Sequence, residues 1–125
     1  MGTRILLVDD SVVAAQQIKG VLGELGGCEV VGHAKNGAEA LKLYSEHKPD
    51  LVFMDLIMPV MDGLQALRTL KGMDSDAKVV VLSSVGGVES KVTEALNLGA
   101  ASVITKPTDA ASVRKVIDVA MGGEG

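Results

Sequence analysis

The 125-residue sequence has no tryptophan, one phenylalanine, one tyrosine and one cysteine. Tyr44 and Phe53 cannot build an interior by themselves, so a chain that is 47% apolar must fill its core with Val, Leu, Ile, Ala and Met. That composition suits thin, closely packed layers of helix and sheet. The lone Cys28 cannot close an internal disulfide and reads as a small buried hydrophobe. No apolar run approaches the roughly 18 residues of a membrane span, and no signal-peptide core opens the chain. A cytoplasmic chain without membrane contact is expected. Basic residues are in the minority, 12 Lys and Arg against 16 Asp and Glu. The net charge of -4 gives no footprint for direct nucleic-acid binding, which needs clustered positive charge. His33 and His47 share no ligand spacing with each other or with Cys28, which argues against zinc and reads both as surface or strand-end residues. The length admits one domain.

What is present is a regular alternation. Ile5-Leu6-Leu7-Val8 is a short apolar run of the kind that suits a strand covered on both faces of a parallel sheet. Ala15, Ile18, Leu22 and Leu25 then fall on one helical face, and Gly26-Gly27 is a stop signal. The pattern repeats through a strand near Glu29 to His33, a helix from Gly37 to about Glu46, and a strand Leu51 to Met54 ending in Asp55. A turn around Pro59 and Asp62-Gly63 leads to a helix carrying Leu64, Leu67 and Leu70, then a strand Val79 to Leu82 ending in Ser83-Ser84. After Gly86-Gly87 come a helix with Val88, Val92, Ala95 and Leu96, a strand Ser102 to Ile104, and a helix with Val113, Val116, Ile117 and Ala120. Five strands alternating with five helices predict an α/β fold, a doubly wound parallel sheet with helices on both faces. The domain is expected to span residues 1–121, with a flexible tail at 122–125.

Ligands of open α/β sheets sit beyond the carboxyl ends of the strands. Those ends carry Asp9-Asp10, Asp55, Ser83-Ser84 and Lys106. Carboxylates gathered there repel one another, which favours a bound cation. Mg²⁺ suits them, since it needs one or two carboxylates, a carbonyl and several waters rather than a closed protein cage. An aspartate can act as a nucleophile toward phosphorus, and Asp55, in the middle of the sheet, is best placed to do so. The group it would accept brings about -1.5 to -2 charges and three acceptor oxygens. Lys106 and the Ser83 hydroxyl fit the opposing contacts. Met54, Met58 and Met61 nearby read as fillers of irregular core gaps.

With those residues in view the chain resembles the response-regulator receiver domains of bacterial two-component signalling. The matching motifs are Asp9-Asp10, Met54-Asp55, Met58-Pro59, Met61-Asp62-Gly63, Leu82-Ser83-Ser84, Leu98-Gly99-Ala100 and Lys106-Pro107. Stand-alone chemotaxis-type regulators are the nearer match in length, and the receiver portion of chemotaxis methylesterases is also similar. The resemblance implies a flavodoxin-like fold with strand order 2-1-3-4-5 and Asp55 as phosphoacceptor. It places Mg²⁺ at Asp9, Asp10, Asp55 and the backbone carbonyl of Ile57, with Ser83 as switch hydroxyl, Lys106 as phosphate contact and a cis Lys106-Pro107 bond. It further implies a histidine kinase as phosphodonor and a protein output partner, not identifiable from the sequence, met at the face of the fourth helix, fifth strand and fifth helix. Such a domain catalyses only its own phosphorylation and dephosphorylation.

Two departures from the family stand out. Val103 occupies a position where many members carry an aromatic ring that swings inward on activation, and a β-branched Val has no ring to relocate. Ile57 and Val85 give an attacking water no hydrogen bond, so slow loss of phosphate is expected. Other readings are an aspartyl-phosphate-forming hydrolase, a flavin or nucleotide carrier, or a receiver module cut from a larger regulator such as a methylesterase. Leu56-Ile57 after Asp55 lacks the second aspartate of such hydrolases. Asp9-Asp10 would repel a carrier's phosphate unless a metal intervened.

Overall fold

A computed structural model describes residues 3–56, 63–83, 89–105 and 109–121, the side chains of 89 and 90 excepted. The strands are β1 (Thr3–Val8), β2 (Cys28–Ala34), β3 (Leu51–Asp55), β4 (Val79–Ser83) and β5 (Ser102–Thr105). The helices are α1 (Val12–Leu25), α2 (Gly37–His47), α3 (Gly63–Met73), α4 (Glu89–Asn97) and α5 (Ala110–Ala120). All strand pairs are parallel, in the order β2-β1-β3-β4-β5. The expected fold class, order and alternation are therefore present.

The apolar runs of β1, β3 and β4 are buried on both faces because helices cover both sides of the sheet. Alternate strand residues divide the interior in two. Leu6, Val8, Val52, Met54, Val79 and Val81 pack with Ala40, Tyr44, Leu67, Leu70 and Ala95, drawing in α2, α3 and α4. Ile5, Leu7, Phe53, Val80 and Leu82 pack with Ile18, Leu22, Val113 and Ile117, drawing in α1 and α5. Phe53, the one phenylalanine, is fully buried in the second half.

The amino-terminal edge of the sheet is tied by side chains. Arg4 N–H donates to Asp50 Oδ2 at 2.8 Å, and the Arg4 guanidinium donates to Lys48 O at 3.2 Å. Tyr44 Oη donates to Asp74 Oδ2 at 2.9 Å, joining the end of α2 to the loop before β4. Lys71 Nζ donates to Ser75 O at 2.7 Å and Ala77 O at 3.0 Å, capping the end of α3. Gly99, at φ +108, lies over that lysine, and a Cβ there would stand 2.9 Å from Lys71 Cε.

Some local expectations change. Gly63 is the first residue of α3 rather than part of a turn. Leu96 is 46% exposed although it lies in helical register with Val92, because buried Ala95 sets the inward face of α4. Cys28 is a free, half-buried thiol in β2, and burial raises its pKa. Ile57, Met58, Pro59, Met61, Asp62, Ser84, Val85, Gly86-Gly87, Val88, Lys106-Pro107 and the tail at 122–125 lie outside the described residues.

Candidate functional site

β1 and β3 are neighbours, so their carboxyl ends bring Asp9, Asp10 and Asp55 together. One carboxylate oxygen from each lies within 4.8 Å of the others. Asp9 is 1% exposed and Asp55 8% exposed, whereas Asp10 is open to solvent. The cluster therefore has a walled side and a wet side.

Asp9 is held from several directions. Its N–H donates to Ala34 O at 3.0 Å, extending the β1–β2 ladder by one step. Its Oδ1 accepts from Ser11 N at 2.9 Å, and Ser11 Oγ in turn accepts from Ala14 N at 3.2 Å as the N-cap of α1. His33 Nε2 lies 2.8 Å from Asp9 O. Metal-ligand spacing in the sequence assigns His33 no role. Its position at the carboxyl end of the strand next to β1 was the available signal.

Asp55 closes β3, and Leu56 N donates to Leu82 O at 3.4 Å. Gly63, opening α3, donates its N–H to Leu56 O at 2.9 Å. An added Cβ at Gly63 would run into the backbone of Asp55 and Leu56, so the absence of a side chain lets α3 start against the end of β3. Ser83 ends β4, the strand paired with β3, and is half-buried. Val103 in β5 packs against the core half that contains α4. The structure thus brings together Asp9, Asp10 and Asp55 and puts Ser83 on the adjoining strand. Ile57 and Lys106 fall outside the described residues.

A donor set of carboxylates alone suits a hard cation. The oxygens around one octahedral Mg²⁺ lie roughly 3 to 4 Å apart, close to the 4.8 Å within which these three oxygens lie. Exposed Asp10 leaves one side of the cluster open to solvent.

A parallel sheet in this order, with acidic groups where the connections change direction, defines an α/β domain that takes its ligand at the switch point between β1 and β3. The chain belongs to the response regulator receiver domain family, which matches residues 5–118. It is 43% identical over 118 residues to the chemotaxis protein CheY of Bacillus subtilis, covering 94% of this chain and 97% of that one. A methylesterase/glutaminase of Myxococcus xanthus is 41% identical over 111 residues, which is 89% of this chain and 32% of that protein. Among solved structures, the CheX-CheY-BeF3-Mg²⁺ complex from Borrelia burgdorferi aligns with a TM-score of 0.86 and 33% identity, over 93% of this chain and 87% of that one. The chain is thus a phosphorylation-dependent signalling domain of the two-component type, and the hydrolase reading gains no support. Among the described residues no helix is long and apolar enough to cross a membrane.

Proposed function

We propose that Asp55 accepts a phosphoryl group from the phosphohistidine of a histidine kinase, with Mg²⁺ held by Asp9, Asp10, Asp55 and the Ile57 carbonyl. The observation that carries this is the convergence of three carboxylates within 4.8 Å at the switch point of the sheet. A carboxylate oxygen of Asp55 bonds to phosphorus as the P–N bond of the donor breaks, its electron pair leaving with the imidazole. Bound Mg²⁺ supplies positive charge to the phosphoryl oxygens. Buried Asp9 anchors the site, exposed Asp10 completes it, and the hydrogen bonds around Asp9 keep the end of β1 in place.

Lys106 contacts the new phosphoryl group and Ser83 turns toward it, transmitting the event to the α4–β5–α5 face, where a protein partner docks. Val103 has no ring to swing, so the signal reaches that face without an aromatic rotamer exchange. Ile57 and Val85 slow the loss of phosphate by leaving attacking water without a hydrogen bond. The receiver domain spans 1–121. It acts in the cytoplasm, consistent with a single unpaired cysteine, and turns over no metabolite. The similarity to chemotaxis regulators supports a role in that kind of circuit.

The test is incubation with acetyl phosphate and Mg²⁺, followed by intact mass measurement. Wild type gains one phosphoryl group, and Asp55→Asn or excess chelator abolishes the gain. Labelling that persists in either case overturns the assignment.

A further inference from the structure

We propose that His33 is a positioning residue for the metal site: its ring holds the Asp9 carbonyl and thereby sets the Asp9-Asp10 acid pair for a divalent cation. The inference rests on the reading of Asp9 and Asp10 as metal ligands. His33 lies in β2 opposite Leu7 of β1, two residues before Asp9. From there the half-buried ring reaches past the end of the strand, with Nε2 2.8 Å from Asp9 O. A peptide carbonyl only accepts hydrogen bonds, so Nε2 must carry the proton, and the contact selects that form of the ring.

The Asp9 carbonyl and the Asp10 N–H belong to one planar peptide unit. Fixing the carbonyl direction therefore fixes how the chain departs into Asp10. Asp10 is the member of the triad whose side chain is exposed, so its carboxylate relies on its own backbone for direction. The preceding N–H is already tied to Ala34 O at 3.0 Å and the Asp9 carboxylate to Ser11 N at 2.9 Å. The contact to His33 adds a constraint on the carbonyl side of the peptide between the two acids. Groups that orient ligands in this way typically change metal affinity about 10- to 100-fold when removed.

The experiment is calorimetric titration of the full chain with MgCl₂ at fixed pH and without phosphodonor, on wild type, His33→Leu, His33→Ala and His33→Gln. Melting in chelator is recorded alongside. Leu fills the space without a donor, Ala empties it, and Gln keeps an N–H donor of similar reach. The expected result is about tenfold weaker binding for Leu and Ala, with Gln recovering most of the loss. A residue that only stabilises the fold would lower melting in chelator while leaving the metal affinity unchanged. Wild-type affinity in Leu or Ala, or a Gln variant as weak as Leu, overturns the proposal. If neither Leu nor Ala folds, the ring ¹⁵N–¹H resonance of wild-type His33 decides. A shift during Mg²⁺ titration supports the coupling and an unmoved resonance overturns it. Failure of wild type itself to bind Mg²⁺ defeats the reading of the acid cluster, an outcome distinct from failure of the His33 variants alone.

Discussion

Replacing Gly63 by alanine adds one methyl group where β3 hands over to α3. Its ideal position is 2.6 Å from Leu56 Cα and 3.0 Å from Asp55 C, and closer still to Asp55 O. Carbon atoms in ordinary contact stand about 3.5 to 4.0 Å apart, so the helix and the strand end must separate by about 1 Å. The obstructing atoms are all backbone and cannot rotate aside. Overpacking costs typically about 1 to 3 kcal/mol, and rigid neighbours put this case near 3 kcal/mol. For a domain of this size 1 kcal/mol moves the melting temperature by roughly 3 to 5 °C, so Gly63→Ala should melt on the order of 10 °C lower. Because the obstruction falls on Asp55 itself, labelling by acetyl phosphate should also slow, by tenfold or more, as misplaced reacting groups do. The matched control is Gly72→Ala in the same helix, where a Cβ meets nothing within 4 Å. There alanine should stabilise by about 0.5 to 1 kcal/mol through backbone entropy. Melting curves and labelling rates of the two variants decide the matter. A Gly63→Ala protein that melts within about 2 °C of wild type and labels at the same rate refutes the account of the β3–α3 junction.

Asp9→Asn removes a charge but keeps an oxygen for Ser11 N. It should abolish the Mg²⁺-dependent rise in melting temperature, which for wild type corresponds to about 2.7 kcal/mol at a hundred times the dissociation constant. In chelator the same variant should melt a few degrees above wild type, because like charges within 4.8 Å no longer repel; a lower melting point there would count against mutual repulsion. Tyr44, whose phenol is pushed up to about 12 by burial and by its bond to Asp74, is the only tyrosine in a chain without tryptophan. Its ultraviolet titration should therefore show one transition near that value. Because the folded pKa lies above the ordinary value of 10, this contribution to stability is complete below pH 10 and is lost as pH rises toward 12. A midpoint near 10 in the folded protein would contradict the structure.

The parts of the fold that were readable from the sequence are those where burial imposes a pattern. The runs at β1, β3 and β4 are apolar because both faces are covered, and the acids at their ends stand out against them. β1 and β2 extend further than expected, to Thr3 and to Cys28 and Ala34, because ladder pairing between them continues beyond the apolar run. Gly63 read as a turn because a crowded approach and a turn both call for glycine, and only the neighbouring Asp55–Leu56 backbone distinguishes them. His33 could not be read as part of the site, since a side chain bonded to a main-chain carbonyl leaves no trace in the identity of its partner. The acid triad was legible because three residues of one type at two strand ends have few other uses.

The ties at the amino-terminal edge divide the labour within the domain. Arg4, Tyr44 and Lys71 fasten loops to one another there with short hydrogen bonds. The opposite edge holds like charges whose cohesion depends on what binds to them. The two ends of the sheet thus differ in what they carry, neutralising contacts within the chain at one and clustered like charge at the other. The hydrogen bonds of Arg4, Tyr44 and Lys71 therefore hold the fold from the end of the sheet that carries none of the three clustered acids.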